Sequence, residues 1–143
     1  MTPLPRFPRA VLAALPLLLA PLDALDLHVS PDGNDRWTGR FADTNAARTD
    51  GPFATLERAR DELRRLRSAS PAVLPPTETV TVHLRAGRHL LTRPFQLDAR
   101  DSGTATAPVI WRGYRDERPL IVGGKLITGF TPHAGKILRA DVG

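Results

Sequence analysis

From Thr79 to Val142 the sequence is a run of short strand-like pieces with no helical period among them. "TVTVHLRAG" sets Val80, Val82 and Leu84 against Thr81 and His83, the period of two that marks a half-buried strand. "RHLLTRPFQL", "PVIWRGY", "PLIVGG", "KLITGF" and "KILRADV" follow, divided by Gly, Pro and Asp corners. Pro94 marks a corner within the first of these, since proline gives no N–H to a central ladder. Strands in such quick succession point to a sandwich, a barrel or a β-solenoid. No strict short repeat is present, so a hexapeptide or glycine-rich nonapeptide β-helix is not supported. One recurrence favours a solenoid: "VTVHLRAG" and "VIWRGY" each run into a Gly corner, and "RPFQL" and "RPLIVGG" each follow as a second strand.

Upstream, "LDLHV" alternates Leu25, Leu27 and Val29 with Asp26 and His28, and "SPDGND" ends it with turn-forming residues. Residues 36–51 show no period and read as a loop. The one amphipathic helix follows, in "GPFATLERARDELRRLR" (51–67). Phe53, Leu56, Ala59, Leu63 and Leu66 form its apolar stripe. Thr55 is the expected N-cap, with Pro52 orienting the entry. Asp61 and Arg65 stand at i,i+4 as a supporting pair. Arg58, Arg60, Arg64, Arg65 and Arg67 are expected to be solvated. "SASPAVLPPTET" then stops the helix.

The first residues belong to another category. "MTPLPRFPRA" carries Arg6 and Arg9 with no acid, and Val11–Leu22 is an uncharged apolar run. That is the layout of a secretory signal, and the run is shorter than the ~20 residues needed to span a bilayer. Residues 1–24 are therefore read as a signal peptide, the product as secreted or periplasmic, and stable membrane insertion is not expected. The chain has no cysteine, so disulfides cannot staple it. Its net charge is +5, carried by 18 Arg and 2 Lys. Such an excess could attract polyanions. Interleaved acids and the export signal argue against a nucleic-acid partner.

In order, "LHVSPDGND", "GPFATLERARDELRRL", "VTVHLRAGRHLLTRPFQL" and "DSGTATAPVIWRGYRDERPLIVGGKLITGF" resemble the N-terminal region of secreted right-handed parallel β-helix proteins. This is the pectate-lyase-like superfamily, with the nearest likeness to its β-helical glycoside hydrolases. The likeness covers about residues 27–130. It implies a mainly β fold: the first coils of a right-handed parallel β-helix with one N-terminal capping α-helix. Residues 25–70 would hold the strand, loop and cap, and residues 71–143 the first coils. A cap answers a physical need, because a solenoid end exposes apolar stacks and unpaired strand edges. Such families continue through many more coils, and three or more repeats are normally needed for stability. The chain is accordingly expected to be truncated, the N-terminal fragment of a glycoside hydrolase or polysaccharide lyase, and inactive by itself. A non-catalytic glycan-binding or surface β-helix, or a gene fragment without function, is the alternative.

Candidate chemistry is sparse. Asp98 with Asp101, and Asp116 with Glu117, are the local acid pairs that glycoside hydrolysis would use. Both lie at corners, where Asp commonly bonds nearby backbone. "DGND" (Asp32 to Asp35) lacks the remaining spacing of a calcium loop and reads as a turn. His28, His83, His89 and His133 have no metal-ligand spacing, and His28 and His83 are expected on a solvent-facing side of their strands. Gly123 and Gly124 mark a strand corner. No cofactor or metal is expected. The partner implied by the resemblance is a polysaccharide or oligosaccharide, with Trp37 in its loop as the sugar-stacking candidate. Trp111 is expected in the core, and any catalytic groups beyond Gly143.

Overall fold

The computed structural model describes residues 24–69, 74–75 and 77–142. The signal-peptide reading falls on residues outside these. Four elements come first: β1 (Leu25–Val29), α1 (Leu56–Ser68), β2 (Val80–Leu84) and β3 (Gly87–Leu91). A single 3-10 turn, Ala99–Asp101, precedes β4 (Val109–Gly113), β5 (Pro119–Gly123), β6 (Thr131–Ala134) and β7 (Ile137–Arg139).

Two parallel sheets carry the fold. One has the order β1-β2-β4, the other β3-β5, and β6 and β7 form a separate antiparallel hairpin. The chain leaves β2, turns a corner into β3, and returns through residues 92–108 to lay β4 beside β2. A second corner then lays β5 beside β3. Each circuit thus adds one strand to each sheet, which is how a β-helix grows. The register stacks like on like: Leu27 beside Val82 and Val82 beside Trp111. Alternation sends Leu25, Leu27, Val29, Val80, Val82 and Leu84 inward, where they join Phe53, Leu63 and Leu66 in one core. Trp111, in the last strand of that sheet among the described residues, is only partly buried against that core.

The helix closes the other end. Leu56, Ala59, Leu63 and Leu66 are buried as the stripe predicts. Thr55 caps it, its hydroxyl accepting from the Arg58 N–H at 3.1 Å. Asp35 holds that cap from the preceding turn, accepting from the Ala54 and Thr55 N–H groups at 2.8 and 2.9 Å. "DGND" is therefore a turn that anchors a helix entry. The outer edge of β1 is covered too. Its His28 N–H donates to Gly39 and its His28 carbonyl accepts from Phe53, at 2.7 and 2.9 Å. Among the described residues no helix is long and apolar enough to cross a membrane.

Four expectations fail. Residues 125–130, "KLITGF", form no strand, and β6 lies beyond them. Residues 94–98, from "RPFQL", form none either; the strand that pairs with β5 is β3, Gly87 beside Pro119. The helix arginines are not simply solvated. Arg64 binds Asp98 and Asp101, Arg67 donates to the Arg100 and Ser102 carbonyls, and Arg60 donates to Gln96 and lies over the Phe95 ring. Arg65 pairs with Glu62 rather than Asp61, because Glu62 sits on the buried side between Arg58 and Arg65.

Candidate functional site

Arg85 follows β2 directly, and its N–H continues the ladder by donating to the Val29 carbonyl at 2.8 Å. The alternation that buries Leu84 turns the Arg85 side chain outward, onto the corners. There its Nε donates to both Glu117 oxygens at 3.0 Å each. Its Nη1 donates to Asp43 at 2.7 Å and to the Ala42 carbonyl. Glu117 comes from the next coil and also accepts from the Ala86 N–H at 2.6 Å. One guanidinium therefore joins the cap loop, the first corner and the second. Beside it opens a cavity of about 250 Å³, lined by Ser30, Asp32, Asp43, Thr44, Arg85 and Glu117 among others.

The charge state follows from the geometry. Hydrogen bonds from Arg85 hold the Asp43 and Glu117 carboxyls below the usual carboxylate range. The same bonds raise Arg85 above its ordinary value. The node is a closed set of fixed charges.

Next to it lies an aromatic stack that the parallel register builds. His28 of β1 and His83 of β2 are direct neighbours, their rings 5.1 Å apart and 16° from parallel. Tyr114 meets both edge-on, at 5.4 and 5.6 Å, and is flanked by the guanidinium groups of Arg85 and Arg115. His83 also reaches Asp26 at 3.3 Å. The expectation of solvent-facing histidines is thus corrected. Both rings lie on the polar face, but Tyr114 packs against them, and His28 is 7% exposed. Burial first, and the neighbouring His83 second, push the His28 pKa down.

The other candidates sit apart. Asp98 and Asp101 form a capping box on the short turn, each also bound to Arg64. Arg100 holds Asp98 strongly as carboxylate, and Arg64 does the same for Asp101. Asp116 is exposed at the β4–β5 corner. Trp37 is half-buried, and a Cβ on Gly51 would come within 2.9 Å of its ring. Trp111 packs edge-on against Phe95 at 5.3 Å. His89 is buried with its Nε2 2.9 Å from the Arg85 carbonyl, and His133 is exposed on β6. Of the two corner glycines, Gly124 is the one with positive φ, at 132°. Among the described residues no group of three or more His, Cys, Asp or Glu is gathered as a metal ion would require. Arg85 and Asp43 escaped the sequence reading. One signal existed, since Arg85 and Tyr114 hold the same place after the two strands that recur.

The charges displaced here fasten one chain segment to another. A general acid needs a carboxyl that keeps its proton near neutrality. The carboxyls displaced from their ordinary range here, on Asp43, Asp50, Glu62, Asp98, Asp101 and Glu117, are all displaced downward. Arg64, Arg65, Arg85 and Arg100 are displaced upward, which removes them as bases.

No family model matches the chain. Pectate lyase PEL9 of Emericella nidulans is 32% identical over 103 residues, which cover 72% of this chain and 20% of that protein. A solved glycoside hydrolase structure aligns with a TM-score of 0.60 at 27% identity, over 77% of this chain and 17% of its own. The chain spans about one fifth of the length of these relatives. By sequence it is similar to a pectate lyase and by fold to a glycoside hydrolase.

Proposed function

We propose that this chain is the capping end of a secreted, right-handed parallel β-helix protein that acts on polysaccharide. In this reading residues 1–24 direct export, residues 25–70 seal the solenoid, and residues 71–143 begin its coils. The parent is a carbohydrate-active enzyme of glycoside hydrolase or polysaccharide lyase type. The cap has no turnover of its own. The observation that carries the reading is the asymmetry of the stack. The β1 end is covered by α1 and the loop before it, while among the described residues the far edges of β4 and β5 have no strand beside them. The similarity to two much longer carbohydrate-active proteins supports the same view. Trp37, held against Gly51, is the residue proposed to meet sugar.

The test is an assay of the purified chain on pectate and a panel of other plant and bacterial polysaccharides. No turnover is expected. Turnover abolished by Glu117→Gln or Asp98→Asn would overturn the reading, because those carboxylates would then be catalytic rather than structural. A sugar ligand that quenches Trp37 fluorescence, with binding lost in Trp37→Ala, is the outcome expected if Trp37 makes the contact.

A further inference from the structure

We infer that the cavity between the end of α1 and the turn before β4 is a carboxylate-binding site, with the Arg67 guanidinium as its clamp. Four arginines on and beside α1 can be compared. Arg64, Arg65 and Arg100 each set Nε and Nη2 against one carboxylate, that of Asp101, Glu62 and Asp98 in turn. This is the planar fork that matches two carboxylate oxygens. Arg67 is the one of the four whose fork has no acceptor. Its Nη1 donates to the Arg100 and Ser102 carbonyls at 3.3 and 2.6 Å. Its Nε and Nη2 are screened from water and bond to nothing among the described residues. A buried charged donor left unpaired is costly, and folded proteins seldom retain one without a use.

Arg67 lines a cavity of about 430 Å³ together with Arg64, Ser68, Ala99, Arg100 and Ser102. Charge selects the occupant. The three arginines of the wall are met by two acids, Asp98 and Asp101, which Arg100 and Arg64 hold as carboxylates. Asp61, the next acid on the helix, is taken by Arg60. One positive charge is left over, and a monocarboxylate cancels it. The carbonyls at the end of α1 disfavour a doubly charged anion such as phosphate. Entry takes one movement: the Arg67 guanidinium swings from behind its screen into the cavity it lines, and the carboxylate accepts from Nε and Nη2. The carboxylate belongs to a free organic acid or to a sugar acid. None of these residues lies on the edges of β4 or β5, and the site does not rest on the proposed function.

NMR of the arginine Nε–H groups in the full chain tests the site, with acetate, D-galacturonate, neutral D-galactose and inorganic phosphate titrated separately. Both carboxylates should move the Arg67 signal to saturation and leave that of Arg65 in place. Galactose should move neither, and phosphate should bind more weakly. Galacturonate tighter than acetate marks a sugar acid as the source; equal or weaker binding marks a free acid. Arg67→Lys keeps the charge and a donor for the two carbonyls but loses the fork. It should weaken carboxylate binding roughly 10- to 100-fold. Arg40→Lys, in the exposed loop, should leave binding unchanged. No saturable shift at Arg67, galactose binding as well as galacturonate, phosphate binding more tightly than either acid, or unchanged affinity in a folded Arg67→Lys would each overturn the inference.

Discussion

Arg64 of α1 and Asp101 of the turn before β4 meet through two hydrogen bonds, 2.7 and 2.5 Å long, with Asp101 only 4% exposed. The helix is therefore fastened to the turn before β4 by charge as well as to the core by apolar packing. Asp101 serves both sides of the joint, since it also accepts from the Asp98 N–H at 2.7 Å. Removing Arg64 would leave a buried carboxylate without its cation. Arg64→Ala should lower the urea midpoint clearly. Arg40→Ala, at an exposed loop position, should stay within about 0.5 kcal/mol of the parent.

The apolar half of the joint is Leu63, which is 0% exposed in the shared core. Leu63→Ala should cost about 2–5 kcal/mol in equilibrium unfolding. A loss below ~1 kcal/mol would mean the stripe is not packed.

Gly39 tests the seal over β1. It holds φ at +70°, and a Cβ there would come within 2.2 Å of the Phe53 ring. Gly39→Ala combines left-handed strain of about 1–2 kcal/mol with a clash against a fully buried ring. Gly123→Ala meets nothing within 4 Å and should be close to neutral. Thermal unfolding of the two variants separates them.

Acid should loosen the same end of the molecule. The groups around His28 are His83, Tyr114, Asp26, Arg85 and Asp43. Its folded pKa lies below the ordinary value of 6.5, so the unfolded chain binds the proton more readily. Stability from this group is therefore complete above about pH 6.5 and is lost as pH falls from there through the lower folded pKa. Asp43, Asp101 and Glu117 have folded pKa values lowered from 3.8, 3.8 and 4.5, so their contribution is lost only in stronger acid. Urea midpoints between pH 7.5 and 5 should fall for the parent and flatten in His28→Phe. Equal slopes would show that the stack does not titrate with folding.

Legibility in the sequence followed the range of the interactions. The helix was readable because Leu56, Ala59, Leu63 and Leu66 repeat within two or three turns, and β2 because Val80, Val82 and Leu84 alternate. The register was not. "RPFQL" and "GRHLL" both look able to pair with "RPLIVGG", and the choice depends on where the circuit through residues 92–108 returns. "KLITGF" has a strand's composition but no neighbour to bond among the described residues. The arginines misled for a related reason. A long side chain at a polar helix position says nothing of the carbonyls and carboxylates another coil brings within reach, as Arg60, Arg64 and Arg67 show. Arg85 joins groups 32 and 42 residues away, and no local pattern encodes that.

Hydrogen exchange of the α1 amides tests the central claim, that this helix seals the solenoid, most directly. A helix of 13 residues is marginal in water on its own, so lasting protection must come from packing. The account predicts that the Leu63 and Leu66 amides exchange as slowly as those of Val80 and Val82 in β2, by opening of the same cooperative unit. Exchange at Leu63 and Leu66 near free-peptide rates, with Val82 still protected, would contradict it.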